Sequence, residues 1–166
     1  DLVPGIIVGT MGTTASTACD PLRAIGETAR RSGAWFHVDA AYGGMLAMLP
    51  EVRPLLDGVE LADSMVTNPH KLLLTSNNCS AYFVRDAEAL TRTFSTSPEY
   101  LRTAHDDQAV NFRDWGIPLG RRFNALRLWF VLRCFGVERL REMLRRHLEL
   151  ARELVGWVGA LPGWEV

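Results

Sequence analysis

Short apolar runs that alternate with a helical pattern restrict the fold of this chain more than any other feature of its sequence. Four segments have the length and composition of strands, at residues 5–9, 34–38, 63–67 and 79–84. Between the first two, Asp20-Pro21 is a predicted helix start, since Asp can cap free amides and Pro fits a first turn. Gly33 is the predicted stop. Strand–helix–strand order is typical of an α/β sheet protein.

The second half of the chain predicts a different subdomain. Residues 95–120 lack periodicity, and aperiodic stretches of that length in compact domains are usually functional or mobile. A helix over 121–135 is apolar on most sides, so we expect it to be buried, with residues 129–132 in the core. After Gly136, a second helix over about 137–160 has a single apolar face.

Composition excludes several classes of protein. The formal net charge of −1 leaves no basic excess for a nucleic-acid or anionic-membrane partner. No apolar run approaches the roughly 18–20 residues of a membrane span. The three cysteines are odd in number and widely spaced, so we expect small apolar fillers rather than a disulfide framework or a metal site. This pattern favours a reducing, cytoplasmic location.

The two ends suggest a segment of a longer protein. The chain begins without an initiator Met or a signal peptide and enters a strand-like run almost at once. It stops after a turn at Pro162-Gly163, in what reads as the start of another strand. We therefore expect that any site in this segment is incomplete.

One basic residue differs from all the others. Of the 18 Lys and Arg residues, 17 are Arg and only Lys71 is Lys. Lysine, unlike arginine, can lose its proton and act as an amine nucleophile. A bias in base composition that leaves one surface lysine is the alternative explanation.

Chemically useful residues follow three of the predicted strands. They are Thr13-Thr14, Asp39 and the segment 68–71. Ligands of open α/β sheets bind beyond the carboxyl ends of the strands, so these loops should converge at one edge. An imine-forming lysine and a carboxylate that pairs a cationic ring nitrogen are what pyridoxal phosphate needs from a protein. A loop cap at Asp39 and a surface amine at Lys71 remain alternatives, and we expect His37 to be packed or hydrogen-bonded rather than catalytic.

Four motifs together resemble the group II pyridoxal-phosphate-dependent decarboxylases, in the branch of the aromatic-L-amino-acid decarboxylases. The motifs are Gly12-Thr13-Thr14, His37-Val38-Asp39-Ala40-Ala41-Tyr42, Asn68-Pro69-His70-Lys71 and Asp114-Trp115-Gly116-Ile117-Pro118-Leu119-Gly120-Arg121-Arg122-Phe123. The resemblance covers essentially all 166 residues, in order. The interval of 32 residues from Asp39 to Lys71 also matches the family.

The resemblance implies roles on the ring side of the cofactor. Lys71 stands where the family attaches the cofactor aldehyde, and Asp39 stands where it pairs the pyridine nitrogen. Ala41 matches the small residue packed close to the ring. Thr14 matches a contact near the ring hydroxyl.

The resemblance further implies that Asn68 contacts the phosphate side and that His70 is the histidine just before the lysine. The implied fold is the type I aminotransferase-like α/β fold, in part. Residues 1–120 would form the second half of the large cofactor domain, with a mobile catalytic loop at about 95–120. Residues 121–166 would form linking helices and the start of the small C-terminal domain. Family members are homodimers with the active site at the subunit interface.

One position departs from the decarboxylase pattern. The family's loop carries a tyrosine three residues before the tryptophan that corresponds to Trp115, and this tyrosine is thought to return a proton to the substrate. Here Phe112 occupies that position, and phenylalanine has no hydroxyl group to donate. The nearest tyrosine, Tyr100, is too far along the chain for a small register error to restore the hydroxyl. Within the family, Phe at this position marks the plant aldehyde synthases.

Three hypotheses for function therefore remain open. The first is decarboxylation of an L-amino acid, with aromatic substrates favoured by resemblance, to the amine and CO2; water or His70 would then supply the proton. The second is oxidative decarboxylation and deamination to an aldehyde. The third is a non-catalytic relative that keeps the fold. The family's ring-stacking histidine and most of its phosphate-binding residues precede Asp1, so the segment alone should be inactive.

Overall fold

A computed structural model describes residues 2–95 and 110–166 and contains a mixed four-stranded sheet. Its strands are β1 (Ile6–Thr10), β2 (Trp35–Asp39), β3 (Ser64–Thr67) and β4 (Ala81–Val84). They lie in the order β1-β2-β3-β4; the first three are parallel, and β4 runs antiparallel to β3. Thr10 lies opposite Asp39, which in turn lies opposite Val66, so the three parallel strands end at one edge. The predicted α/β sheet is thereby confirmed.

The helices follow the predicted order. They are α1 (Leu22–Ser32), the single turn α2 (Pro69–Leu72), α3 (Ala87–Phe94), α4 (Asn124–Phe135) and α5 (Val137–Gly159). Short 3-10 turns occupy residues 43–48, 53–56, 59–61 and 112–115. Of the aperiodic stretch predicted at about 95–120, residues 96–109 lie outside the described residues.

The two ends of α1 show one correct and one wrong prediction. Gly33 ends the helix in the left-handed region at φ 70°, and its N–H reaches the carbonyl oxygens of Ala29 and Arg30. Asp20 does not cap the helix. Its carboxylate instead accepts the backbone N–H of Thr10 at 2.8 Å, so it joins the end of β1 to the start of α1.

One face of the sheet carries the first hydrophobic core. Phe36 and Val38 point to this face and are fully buried against Leu22 and Ala29 of α1. Burial of a Phe or Val side chain stabilises the fold by about 1.5–3 kcal/mol. The helix can lie this close because a Cβ at Gly26 would stand 3.0 Å from the Phe36 ring. Alternation along β2 sends Trp35, His37 and Asp39 to the opposite face.

A second core joins α5 to the rest of the chain. Leu140 and Leu144 of α5 are buried against Leu49 and Leu73, as the predicted apolar face requires. The same helix is held at its surface by the ion pair between Arg145 and Glu51.

The prediction that the first long helix is buried is wrong for this chain. Trp129 and Phe130 of α4 are each 53% exposed, and the helix has no fully buried residue. Only its Leu128 and Val131 pack against the second core. An all-round apolar sequence permits burial on every face, but within the described residues neighbouring elements cover only one.

Three smaller expectations can be compared with the structure. Cys79 is a buried apolar filler, whereas Cys19 and Cys134 are exposed, so that expectation holds for one cysteine only. Residues 164–166 follow a turn but form no strand. In the described part of the chain, no helix combines the length and the apolar character needed to cross a membrane.

Candidate functional site

Backbone hydrogen bonds join the three loops at the carboxyl edge of the parallel strands. The N–H of Met11, after β1, donates to the carbonyl of Asp39 at 2.8 Å, and Gly43 N–H donates back to Met11 at 3.2 Å. Asn68, after β3, donates its N–H to the carbonyl of Ala41 at 3.1 Å. The predicted convergence of these loops is therefore present, with the loop after β2 in the middle.

Two glycines let the middle loop lie flat between its neighbours. A Cβ at Gly43 would stand 2.6 Å from the carbonyl oxygen of Met11, and one at Gly44 would stand 2.6 Å from the Thr67 hydroxyl oxygen. Real Cβ atoms do not approach other atoms so closely. The small-residue run after Asp39 is thus a packing requirement of the site.

Asp39 is half-buried at the end of β2. Its Oδ1 accepts the backbone N–H of Ala41 at 3.0 Å, which fixes the carboxylate in place. Among the described residues, this is the one hydrogen bond to the side chain, so Oδ2 remains available. A carboxylate held in this way can pair with a cationic nitrogen of a ligand.

His37 shares its face of the sheet with Asp39. Its Nδ1 lies 2.8 Å from the hydroxyl of Ser64 on β3, and its ring stacks on Tyr82 of β4 with centroids 6.2 Å apart. Burial lowers the pKa of His37 below its ordinary value, against the opposing influences of the Asp39 charge and the Ser64 backbone. His37 is hydrogen-bonded, as expected from the sequence.

The turn α2 presents the remaining predicted residues directly after β3. Lys71 is exposed, and no ion pair joins its amine to another group in the part of the chain that the structure describes. The backbone of Cys79 holds the His70 ring at Nδ1, with its oxygen at 2.8 Å and its nitrogen at 3.1 Å. The ring therefore keeps Nε2 for other partners.

Two buried oxygen atoms at this edge lack partners among the described residues. They are Asn68 Oδ1 and Thr67 Oγ1. A buried polar atom without a hydrogen bond is costly, so such atoms mark places where a bound molecule or an ordered water belongs.

The predicted residues after β1 and in the loop after β2 also lie at this edge. Thr13 Oγ1 holds the first turn, through contacts to Ser16 Oγ at 2.8 Å and Ala18 N at 3.1 Å, and leaves Thr14 exposed. Ala41 is half-buried beside Asp39.

Phe112 is positioned by a separate segment. It begins the 3-10 turn 112–115, is 60% exposed and makes an edge-to-face contact with Trp115, whose ring centroid is 5.7 Å away. This turn packs beside α3.

The surroundings of His37 were not predicted from the sequence. Ser64 accepts the indole N–H of Trp35 at 2.8 Å as well as facing His37, so three polar groups meet on the open side of the sheet. The available signal was Ser64 near the start of the strand predicted over 63–67. Its partner depends on the β2–β3 register, which no local pattern reveals.

A surface groove of about 540 Å³ lies elsewhere, between the start of α1 and the turn at residues 53–56. None of its lining residues belongs to the predicted site. The residues at the carboxyl edge of the sheet form what we call the strand-end cluster: Asp39, Thr67, Asn68 and Lys71. This cluster combines an exposed amine, a fixed carboxylate and oxygens without partners among the described residues. Such a set suits a ligand with a carbonyl group and a cationic ring nitrogen.

Comparison with known proteins gives a consistent family match. The pyridoxal-dependent decarboxylase conserved domain matches residues 1–165. Phenylacetaldehyde synthase of Arabidopsis thaliana is 46% identical over 99% of this chain and 34% of its own length. Tyrosine decarboxylase 4 of Petroselinum crispum is 47% identical over 99% of this chain and 33% of its own length. The chain thus spans about a third of the curated relatives it matches.

Solved structures agree with the sequence matches. Oryza sativa TDC, crystallised with PLP and tryptamine, superposes with a TM-score of 0.92 at 42% identity, over 96% of this chain and 33% of that one. The 4-hydroxyphenylacetaldehyde synthase of Rhodiola rosea gives a TM-score of 0.85 at 37% identity, over 96% and 32%. The fold of the chain is therefore part of the α/β fold of these enzymes.

Proposed function

Because the chain belongs to the pyridoxal-dependent decarboxylase family, we propose that the full-length protein removes the carboxylate of an aromatic L-amino acid and releases the amine and CO2. Pyridoxal phosphate is the proposed cofactor. The observation that carries the proposal is the strand-end cluster, in which hydrogen-bonded loops hold Asp39 beside the turn that bears Lys71.

The residues at this edge fit the cofactor. When bound, pyridoxal phosphate supplies an aldehyde that condenses with amines and a cationic ring that withdraws electrons from the substrate α-carbon. Lys71 offers for attachment an amine without an ion-pair partner among the described residues, and Asp39 Oδ2 can hold the ring nitrogen in its protonated form. Ala41 leaves space against the ring, while Thr14 and the buried Asn68 Oδ1 provide polar contacts.

Two further residues have proposed catalytic roles. His70 can hold or move a proton only at Nε2, since the backbone of Cys79 occupies Nδ1. Phe112 stands at the position of the family's proton-donating tyrosine and has no hydroxyl group, so it cannot supply the proton.

Conversion of Lys71 to arginine tests the proposal. Arginine keeps the positive charge but forms no imine, so the K71R full-length protein should lose covalently held cofactor and all amine production from L-tyrosine or L-tryptophan. The readouts are borohydride trapping followed by mass spectrometry and direct assay of CO2 and amine. Trapping on another residue, or unchanged turnover in K71R, would refute it. A wild-type protein that binds the cofactor without turnover would be a non-catalytic relative.

Phe112 favours a second candidate function, the conversion of the amino acid to an aldehyde. In that reaction, O2 and water are consumed with the amino acid, and the products are the aldehyde, CO2, ammonia and hydrogen peroxide. The similarity to phenylacetaldehyde synthase supports it. The test compares amine, aldehyde and peroxide with and without oxygen, in wild type and F112Y. Amine alone from wild type, at a rate equal to that of F112Y, excludes this candidate.

We also propose the domain division implied by the family. Residues 1–120 would belong to the second half of the cofactor domain, including the loop at about 95–120, and 121–166 to the start of the C-terminal domain. The change from the sheet segment to the two long helices α4 and α5 after residue 123 supports this division. The second core crosses the boundary, because Leu140 and Leu144 of α5 pack on Leu49 and Leu73. If this domain division holds, limited proteolysis of the full-length protein should cut first near residue 120.

The remaining proposals concern assembly and location. We propose a homodimer in the cytoplasm with its active site at the subunit interface. Exposed aromatic side chains on α4 supply apolar surface that other protein would cover, and the free cysteines suit a reducing compartment. Sedimentation velocity on the full-length protein tests the dimer, and a fluorescent fusion tests the location.

A further inference from the structure

A short polar array lies on the open side of the sheet, next to Asp39. The indole N–H of Trp35 donates to Ser64 Oγ at 2.8 Å, and the same oxygen lies 2.8 Å from Nδ1 of His37. Trp35 and His37 alternate with core residues along β2, so both lie on the face that also carries Asp39. Ser64 is only 4% exposed, which leaves its hydroxyl dependent on protein partners.

The donors and acceptors of this array indicate where its protons lie. An indole N–H is only a donor, so Ser64 Oγ must accept from Trp35. The hydroxyl proton of Ser64 then needs an acceptor of its own, and Nδ1 of His37 is within reach. With Nδ1 accepting, the neutral imidazole carries its proton on Nε2. A proton on Nδ1 would leave the buried Ser64 hydroxyl proton without an acceptor among the side-chain contacts of the described residues.

The charged and titratable groups around His37 oppose this arrangement. Asp39 on the same strand and the backbone of Ser64 on β3 both favour an imidazolium, and the phenol of Tyr82 on β4 stacks on the ring at 6.2 Å. The cross-strand neighbour on β1, Val8, is apolar. Burial outweighs the charge, since the pKa of His37 is lowered overall. The acceptor role of Nδ1 toward the Ser64 hydroxyl acts in the same direction as burial.

We propose that Trp35 and Ser64 are positioning residues that hold His37 as the neutral Nε2–H tautomer, and so keep the Asp39 carboxylate available to a cationic ring nitrogen. This inference rests on the proposed function, because it assumes a cofactor with such a nitrogen. An imidazolium two residues from Asp39 would compete for the same negative charge. A neutral imidazole removes that competitor.

The test titrates His37 in the full-length protein by NMR, with 13Cε1-labelled histidine and assignment from H37N. In wild type, His37 should titrate below its ordinary pKa. In S64A it should titrate at a higher pH than in wild type, because Nδ1 is released to take a proton. W35F keeps an aromatic ring and removes only the indole donor, so it should raise the pKa of His37 less than S64A does.

Cofactor affinity provides the second readout. The Kd of pyridoxal phosphate for S64A should rise roughly tenfold as the pH falls from 8 to 6, equivalent to about one pKa unit of charge competition. The double variant S64A/H37N cannot charge at this position, so its Kd should return to the wild-type pH dependence. W35F serves as the second single variant should S64A fold poorly.

The outcomes separate this inference from the proposed function. A wild-type His37 that titrates with an ordinary pKa, or an S64A affinity that follows the wild-type pH dependence, overturns the inference while cofactor binding stands. A wild-type protein that binds no pyridoxal phosphate overturns the proposed function, and the role of the array toward the cofactor with it.

Discussion

Replacement of Asp39 by asparagine separates the charge of this side chain from its hydrogen bond. The amide oxygen of the introduced side chain can still accept the Ala41 N–H that Oδ1 accepts at 3.0 Å, so the loop should keep its shape. Only the negative charge is lost. Any effect on the cofactor then reports the electrostatic pairing.

The size of that effect follows from the pairing of opposite charges. A carboxylate within about 4–6 Å of a cationic nitrogen raises the pKa of that nitrogen by roughly 1–3 units, or about 1.4–4 kcal/mol. D39N should therefore lower kcat by about 10–1000-fold, since electron withdrawal depends on the protonated ring. The assays are kcat for amine or aldehyde formation and a pH titration of the bound cofactor's absorbance in the full-length protein.

Asp63 provides the matched control. Its Oδ2 also accepts a backbone N–H, from Phe36 at 2.8 Å, but it lies before β3, at the other end of the strand from Asn68. D63N makes the same chemical change and should leave the cofactor titration unaltered. Equal losses in D39N and D63N, or full activity in D39N, would refute the reasoning.

Three further perturbations test the fold that holds the site. F36A should destabilise the protein by about 3–5 kcal/mol, measured by urea unfolding of the full-length protein, because it opens a cavity under the sheet. G44A should lower cofactor affinity and thermal stability together, as its Cβ meets Thr67 Oγ1 at 2.6 Å; isothermal titration and thermal scans measure both. E51Q should lower Tm at pH 7, since Arg145 lowers the pKa of Glu51 to about 2, and this loss should diminish as the pH falls from about 4.5 toward 2.

Each of these has a contradicting outcome. If F36A lowers the free energy of unfolding by less than about 1 kcal/mol, the surrounding side chains have closed the space and no cavity is left. A G44A variant with unchanged affinity would show that the loop after β2 does not shape the site. The Glu51 prediction has a definite sign: a carboxyl group with a depressed pKa stabilises the folded state above its unfolded pKa. A Tm difference that grows with acidification would contradict it.

Local chemistry explains what could be predicted without a structure. Gly33 ends α1 because a left-handed residue is needed there, and α5 turns one apolar face to the second core, as its periodicity predicts. Both depend on residues within a few positions of each other. The same holds for the order of strands and helices, and so for the expectation that Asp39 and Lys71 follow strands of one sheet.

The sequence by itself determined which residues end strands, where most helices begin and end, and which side chains have the chemistry of the site, because backbone preferences and apolar periodicity act over short spans of chain. Only the tertiary structure decided that Asp20 bonds to Thr10 instead of capping α1, that α4 stays exposed, and that Ser64 faces His37. These contacts depend on register and on which surfaces meet across distant segments. Such choices are made by the packing of the whole sheet, and no local pattern encodes them.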